Sequence, residues 1–125
     1  MPYLKIQTNI PLTKKAEQNI LRIASSLVSQ ELERAEEFVM IAVQPDTPMM
    51  LAGTDDPVAF LELKSIGLKA ARTKGLSKAL SEMIEQHLGI PKDRVYAKFI
   101  DVKRGMWGWK GSTFDKWLPR EPSQL

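Results

Sequence analysis

The most unusual candidate for chemistry in this sequence is its second residue. Pro2 carries a secondary amine once Met1 is removed, which is the ordinary outcome when the second residue is small. A free α-amino group has a pKa near 8, and an apolar pocket close to cations would lower that pKa toward neutrality, where a general base works best. Pro2 is therefore a candidate proton acceptor. The alternative at this point is structural, since a proline also begins and blunts an edge strand.

Other common sources of catalysis are sparse in the sequence. It contains no cysteine, which excludes disulfides, thiolate metal sites and thiol nucleophiles. The single histidine, His87, is expected near a helix end as a surface or capping residue, so a hydrolase triad would have to rest on it alone. Gly53, Gly67 and Gly75 lack the spacing of a phosphate-binding loop. We expect neither a metal ion nor a cofactor.

Length and charge limit the classes of protein and partner. A chain of 125 residues is expected to form one domain, residues 1–125, with one core. Its formal charge of +3 comes from lysines and arginines spread among similar numbers of acids, so no nucleic-acid surface is indicated. Residues 1–11 alternate apolar and polar side chains and contain neither a leader nor a membrane span. These features favour a cytoplasmic protein without membrane association, and export without a leader stays open.

The elements that must position Pro2 follow from hydrophobic periodicity. Tyr3–Ile10 alternates with a period near two and predicts a strand with one buried face. Thr13 is a candidate helix cap, after which apolar residues repeat at helical spacing at positions 20, 23, 24, 27 and 28. Phe38–Val43 is short and apolar, which predicts a mostly buried strand. These three elements form a strand–helix–strand unit.

The same pattern recurs in the second half of the chain. Val58–Ile66 predicts a strand, residues 76–88 a helix that ends at Gly89, and Arg94–Asp101 a further strand. The chain therefore predicts an α+β fold in which two tandem βαβ units form a four-stranded sheet. Right-handed crossovers would place both helices on one face of that sheet.

Two features of this fold predict an oligomer. Two helices on one face leave the other sheet face bare, and apolar residues on a bare face should pack against a partner. The carboxyl-terminal stretch 105–118 is also too aromatic for a solvated tail, with Trp107, Trp109, Phe114 and Trp117. We expect it to pack on a neighbouring subunit, with residues 115–125 extending over that neighbour.

Several short motifs, in order along the chain, together resemble one known family. They are Met1-Pro2, Thr8-Asn9-Ile10-Pro11, Lys64-Ser65-Ile66-Gly67, Asp93-Arg94-Val95-Tyr96 and Gly108-Trp109-Lys110-Gly111-Ser112-Thr113-Phe114. In these motifs the sequence resembles the macrophage migration inhibitory factor family of the tautomerase superfamily. The resemblance implies a homotrimer with an active site at each subunit interface. It also implies keto–enol interconversion of an aryl 2-oxo acid such as phenylpyruvate.

The resemblance also implies roles for individual residues. Pro2 is similar to the family's catalytic proline, and Ile66 to a residue whose backbone helps to hold the substrate. Tyr96 is similar to a pocket tyrosine supplied by an adjacent subunit, and Trp109 and Phe114 resemble the pocket's aromatic wall. Without the family pattern, these four pocket residues would be read as core or interface packing.

Two cations are candidates for binding the substrate carboxylate. Arg34 falls where the family has a carboxylate-binding lysine, and an arginine would hold that group through two parallel hydrogen bonds. Lys98 stands where animal members have an asparagine, and it would either bind the carboxylate or lower the pKa of the base. Tyr3 and Trp107 also depart from the family pattern, which implies a changed pocket shape.

Three hypotheses about function stay open from the sequence. The first is an aryl-pyruvate tautomerase with Pro2 as base. The second keeps the proline but performs another reaction of the superfamily, such as decarboxylation or hydration of an unsaturated acid. The third is a cytokine-like signalling or binding protein with a vestigial pocket, which retention of Met1 would favour because acylation removes the basic lone pair of Pro2.

Overall fold

A computed structural model of the chain describes residues 1–117, and their side chains through residue 115. The strands and helices are β1 (Tyr3–Thr8), α1 (Lys14–Leu32), β2 (Met40–Gln44), β3 (Ala59–Ile66), α2 (Thr73–Leu88), β4 (Val95–Val102), β5 (Gly108–Trp109), β6 (Ser112–Thr113) and α3 (Phe114–Trp117). Single turns of 3₁₀-helix cover Glu36–Phe38, Ala70–Arg72, Lys92–Arg94 and Arg104–Met106. Most of the expected extension over a neighbour, residues 118–125, lies outside the described residues.

The four long strands form one mixed sheet in the order β2-β1-β3-β4. Each βαβ unit contributes a parallel pair, β1 with β2 and β3 with β4, and the units join through antiparallel β1 and β3. Both helices pack against the same sheet face, and their buried side chains share one core with β1 and β3. The predicted α+β architecture of two βαβ units is therefore confirmed.

Helix α1 begins and ends with recognisable caps. The Thr13 hydroxyl accepts a hydrogen bond from the Ala16 N–H at 3.1 Å, as expected for an N-cap. Glu33 follows the last helical residue in the left-handed conformation, with φ 53° and ψ 48°, and its N–H donates to the Gln30 carbonyl. The side chains buried along the helix lie three or four residues apart, at Ile20, Ala24, Val28 and Leu32. This spacing is the stripe that the sequence predicts.

Strand β1 ends two residues earlier than predicted because side chains replace the strand's main-chain partners. The buried Thr8 hydroxyl donates to the Val58 carbonyl at 2.7 Å. The Asn9 side-chain carbonyl accepts from the Val58 N–H at 3.0 Å. These polar contacts compete with further ladder pairing, and the chain turns at Asn9 and Ile10.

Strand β2 differs more clearly from its prediction. The sequence predicts a mostly buried strand over Phe38–Val43. The observed strand β2 begins at Met40, and its residues are partly or largely exposed. The reason is topological, because β2 lies at the sheet edge and pairs with β1 alone among the described strands. Phe38 instead ends a 3₁₀ turn and packs in a second cluster of apolar side chains, described below.

The uncovered sheet face is mixed rather than apolar, which corrects the expectation of an apolar bare face. Strand alternation places a row of Lys5, Glu62 and Lys98 across this face, because Lys5 pairs with Glu62 and Glu62 with Lys98. The neighbouring row contains the aromatic residues Phe60 and Tyr96 together with Gln7. A partner that packs on this face must therefore complement its row of charged residues as well as cover its apolar residues.

Three of the four carboxyl-terminal aromatic residues, Trp107, Trp109 and Phe114, pack on their own chain. The predicted packing of the fourth, Trp117, concerns a side chain outside the described residues. Phe114 is fully buried beside Ile66 and Met1, and Trp107 and Trp109 pack against this group. These side chains therefore form a second small core within the chain, where the sequence predicted packing on a neighbouring subunit. Within residues 1–117, no helix is both long and apolar enough to cross a membrane.

Candidate active site

Pro2 lies at the edge of a cavity of about 410 Å³ at the amino-terminal end of the parallel pair β1 and β2. The pair aligns Tyr3 with Met40, and the Met40 N–H donates to the Pro2 carbonyl at 3.0 Å. Parallel strands bring their amino-terminal ends together, so the residues before β2 become neighbours of Pro2. The lining consists of Met1, Pro2, Tyr3, Glu37, Phe38, Val39, Met40, Trp107, Gly108 and Trp109.

Aromatic rings form one wall of this cavity. Trp109 meets Phe38 edge to face, with ring centroids 5.9 Å apart and an interplanar angle of 80°. Trp109 also stacks on Phe114, with ring centroids 5.6 Å apart and an interplanar angle of 13°. Both geometries are favourable for aromatic pairs. The Lys110 ammonium lies 4.6 Å from the centroid of the Trp109 ring, which is within range of a cation–π contact.

A two-residue turn positions the tryptophan of this wall. Lys110 and Gly111 have φ of 51° and 77°, and they connect the short antiparallel strands β5 and β6. Positive φ at both central residues is the geometry of a type I′ hairpin, which the Lys-Gly pair supports through its glycine. The Phe114 N–H then donates to the Trp107 carbonyl at 3.1 Å and closes the hairpin against the second core.

The amino terminus is enclosed by this second core. The Met1 side chain is buried against Ile66 and Phe114. Burial, and to a smaller extent the nearby charge of Arg34, lower the pKa of the Met1 amino group from 8.0 to about 5. In this form the Pro2 nitrogen is part of an amide and has no basic lone pair. The site therefore disfavours a protonated amine one residue from the position where the Pro2 amine forms.

Arg34 is held by main-chain carbonyls next to the site. Its guanidinium donates to the Leu32 carbonyl at 2.8 Å and to the Ile66 carbonyl at 3.4 Å. Burial lowers the pKa of Arg34, and the Glu33 carboxylate opposes that shift. Arg34 lines a second cavity, of about 420 Å³, beside the Pro2 cavity rather than the Pro2 cavity itself. Ile66, whose carbonyl it contacts, lies beneath Met1.

The structure does not bring the other two predicted residues to Pro2 within one subunit. Tyr96 and Lys98 are exposed on β4, which is separated from β1 by β3. Tyr96 is 58% exposed, a large value for an aromatic side chain in a strand. The six residues predicted to bind the substrate therefore divide into two groups, with Arg34, Ile66, Trp109 and Phe114 near Pro2, and Tyr96 and Lys98 remote from it.

Four residues of the cavity lining, Glu37, Phe38, Val39 and Met40, are not among the site residues that the sequence predicts. Phe38 falls in the predicted strand Phe38–Val43, although it lies four residues after Arg34 and just before β2. The predicted βαβ topology contains a signal for these residues, because parallel pairing of the first two strands brings this segment beside Pro2. That signal identifies the residues only once the strand order is known.

The residues at this site suit proton transfer. His87 is exposed on the last turn of α2, away from the cavity lining. Among residues 1–117, no group of three or more His, Cys, Asp or Glu side chains is arranged to hold a metal ion. What the cavity combines is an apolar aromatic wall, an amino terminus with a lowered pKa and a neighbouring guanidinium. Such a site can accept a proton from carbon and stabilise a nearby anion.

Comparisons with known proteins agree on one family. The family model described as macrophage migration inhibitory factor matches residues 1–115. A macrophage migration inhibitory factor homolog from Brugia malayi is 35% identical over 91% of this chain and 99% of its own length. The macrophage migration inhibitory factor of Mus musculus is 33% identical over the same fractions.

Solved structures match both the sequence and the fold. The crystal structure of a macrophage migration inhibitory factor homologue from Prochlorococcus marinus has a TM-score of 0.85 and 40% identity, covering 90% of this chain and 98% of that chain. The macrophage migration inhibitory factor of Trichinella spiralis has a TM-score of 0.83 and 29% identity, covering 90% of this chain and 99% of that chain.

Proposed function

The chain belongs to the macrophage migration inhibitory factor family, and we propose that it is a keto–enol tautomerase of phenylpyruvate-type 2-oxo acids. Family membership supports an isomerase-type activity in general. The specific proposal is that the Pro2 amine, released by removal of Met1, is the general base. The observation that carries the proposal is the environment of the amino terminus, where burial and Arg34 lower the pKa of the Met1 amine to about 5.

Removal of Met1 would have two consequences for the site. It converts the Pro2 amide into a secondary amine. It also vacates the space now filled by the Met1 side chain, which packs on Ile66 and Phe114. The vacated space adjoins the aromatic wall of Trp109, so an aryl ring can replace the methionine side chain with little loss of apolar contact. The same processing step would thus free the base and complete the substrate pocket.

The proposed reaction is a proton transfer between carbon and oxygen. In the keto form, the unprotonated Pro2 nitrogen removes a proton from the carbon between the ring and the carbonyl, and the C–H electrons form a C=C bond as the carbonyl becomes an enolate. The protonated nitrogen, or water, then returns a proton to the enolate oxygen, which yields the enol. No atoms are gained or lost. Arg34 would bind the carboxylate and stabilise the negative charge that develops.

We also propose a homotrimer in which a neighbouring subunit completes each site. Tyr96 and Lys98 are exposed on β4 and remote from Pro2 within one chain. Met40, at the outer edge of the sheet beside Pro2, is 64% exposed. Bringing a neighbour's β4 to this edge would cover both exposed surfaces and add Tyr96 and Lys98 to the pocket. The fold agrees with this arrangement because β2 and β4 are the two edges of the four-stranded sheet.

The decisive experiment measures enol formation from phenylpyruvate by absorbance, with mass spectrometry to verify that Met1 is absent. Pro2→Ala should lower kcat/KM by roughly 10²- to 10⁴-fold, the usual contribution of a positioned general base. Pro48→Ala is the matched control, because Pro48 is exposed in a loop outside the cavity lining and should leave the rate unchanged. Equal rates for Pro2→Ala and the parent protein would exclude Pro2 as the base. No turnover by the processed parent would favour the binding role instead.

A further inference from the structure

The second cavity, beside the site of Pro2, is lined by three cationic side chains. It has a volume of about 420 Å³, and its lining residues are Leu32, Glu33, Arg34, Gly67, Leu68, Lys69 and Arg72. Glu33 is the one acid among them, so the lining carries a net charge of +2 from three cations and one anion. Cations gathered around a concave surface raise the local concentration of anions.

Main-chain contacts position the two guanidinium groups. Arg34 donates to the Leu32 carbonyl, and Arg72 donates to the Glu31 carbonyl. Both acceptors are carbonyls of the last turn of α1, the negative end of the helix dipole. The helix end therefore holds two arginines, one from the segment after α1 and one from the 3₁₀ turn before α2. Their arrangement is built before any ligand arrives, which lowers the entropic cost of binding.

Gly67 lines the cavity next to the Arg34 guanidinium. Gly67 has φ of 71°, a conformation that favours glycine, and a Cβ at this position would lie 3.7 Å from the Arg34 Nη2 atom. Any larger side chain there would extend toward the guanidinium. Leu32 and Leu68 supply apolar surface beside the cations. The cavity thus offers charge and hydrophobic contact together, which suits a small organic molecule that carries an acid group.

We propose that the cavity formed by Arg34, Lys69 and Arg72 is a binding site for a multiply charged oxyanion, either a phosphate group or a polycarboxylate, carried by a small organic effector. The planar guanidinium groups of the two arginines and the ammonium group of the lysine can donate hydrogen bonds to the oxygens of a phosphate or a carboxylate. Arg34 lines this cavity and is also the residue that we propose binds the substrate carboxylate. On the basis of that proposed function, a bound effector would compete with the substrate for Arg34 and raise the KM for phenylpyruvate.

Calorimetric titration of the full chain with inorganic phosphate in one arm and citrate in the other tests this site. We expect saturable binding in at least one arm, and the tighter arm identifies the preferred oxyanion. The double variant Lys69→Ala with Arg72→Ala should weaken that binding by about tenfold or more, because two of the three cations are gone. Lys74→Ala is the matched control, since Lys74 is an exposed cation of α2 outside the cavity lining and should leave the affinity unchanged.

The double variant removes the contact between Arg72 and α1 and could therefore misfold. A single charge reversal at Lys69 avoids this problem. Lys69 is exposed, so Lys69→Glu should keep the parent's circular dichroism and unfolding midpoint while it weakens anion binding. Binding of neither anion, or equal binding by the parent and both variants, would overturn the proposal. The titration needs no catalysis, so failure of the tautomerase assay would leave its result intact. Where the enzyme is active, raising KM should take about tenfold more anion in the double variant than in the parent.

Discussion

At the scale of single residues, the site depends on how a buried amine and a guanidinium share a small volume. Both groups lose hydration, and burial lowers the pKa of each. The guanidinium nevertheless stays charged because its ordinary pKa is far above neutrality, whereas the amine becomes neutral at physiological pH. The pair thus places a cation beside an uncharged amine. We propose that the Pro2 amine has the same surroundings after Met1 is removed and acts there as the neutral base.

Replacing Arg34 should separate substrate binding from proton transfer. If Arg34 binds the carboxylate, Arg34→Ala should raise the KM for phenylpyruvate by about 10- to 100-fold, the range expected for hydrogen bonds to a charged group. Arg34→Lys keeps the charge without the two-pronged geometry and should fall between the parent and the alanine variant. Arg22→Ala, an exposed arginine on α1, is the matched control. A KM unchanged by Arg34→Ala would instead favour Lys98 as the carboxylate partner.

Protein that retains Met1 should lose stability as the pH falls. The folded amine has a pKa of about 5 instead of 8.0. Between these two values the unfolded chain binds a proton that the folded chain does not, so the free energy of unfolding decreases as pH falls from 8 toward 5. Urea unfolding at a series of pH values measures this on chain released from a fusion that leaves Met1 first. The same chain with an acetylated terminus lacks the titrating amine, and an identical pH profile for the two would contradict the assignment.

At the scale of elements, the end of α1 organises the cavity that Arg34 lines. The helix stops at Leu32, and the left-handed Glu33 turns the chain so that Arg34 contacts the carbonyls of Leu32 and Ile66. The Arg34 N–H also donates to the Ser29 carbonyl at 3.0 Å, and the Ser29 hydroxyl donates to the Arg34 carbonyl. These contacts make the helix terminus a rigid support for the guanidinium rather than a flexible linker.

Glycine at position 33, where the backbone is left-handed, should stabilise this helix end. Glu33→Gly should raise the free energy of unfolding by roughly 0.5 to 1 kcal/mol, because glycine adopts positive φ without the steric cost that a Cβ brings. Arg22→Gly serves as the comparison, since glycine at an exposed position inside α1 should lower stability by about 1 kcal/mol. Urea unfolding monitored by circular dichroism gives both values. Destabilisation by Glu33→Gly would mean that the carboxylate contributes more than the conformational strain costs.

At the scale of the whole molecule, the subunit has two unequal cores and one open sheet face. The large core lies between the helices and the sheet, and the small one joins the amino terminus to the β5–β6 hairpin. The open face carries the row of Lys5, Glu62 and Lys98. A symmetric assembly repeats such a row around its axis, so charged residues of one subunit can face those of the next.

Mixed assemblies should reveal whether two subunits share each site. Pro2→Ala and Tyr96→Ala chains, each of low activity alone, are unfolded together in equal amounts and refolded. If each site takes Pro2 from one subunit and Tyr96 from its neighbour, about one site in four should recover both intact residues by random assembly. Phenylpyruvate turnover measures the recovery, and sedimentation verifies a trimer. Activity that stays at the mean of the two variants would show that Tyr96 does not act across an interface.

Local patterns in the sequence were sufficient for the elements and for the choice of Pro2. Alternation in β1 and the stripe on α1 are short-range properties, because the period of a strand or a helix decides which side chains can be buried together. The Thr13 cap is equally local. Pro2 stood out by chemical type, and the order of motifs along the chain pointed to the family that the comparisons show.

Tertiary structure alone decided how distant segments meet. The edge position of β2, the charged row on the open face and the packing of Phe114 against Met1 depend on strand order and register, which residues far apart in the chain determine jointly. The same is true of Arg34, whose place in the second cavity follows from the turn at Glu33 and the contact with the Ile66 carbonyl. A linear sequence specifies which groups can react, but only the folded chain brings them within contact distance.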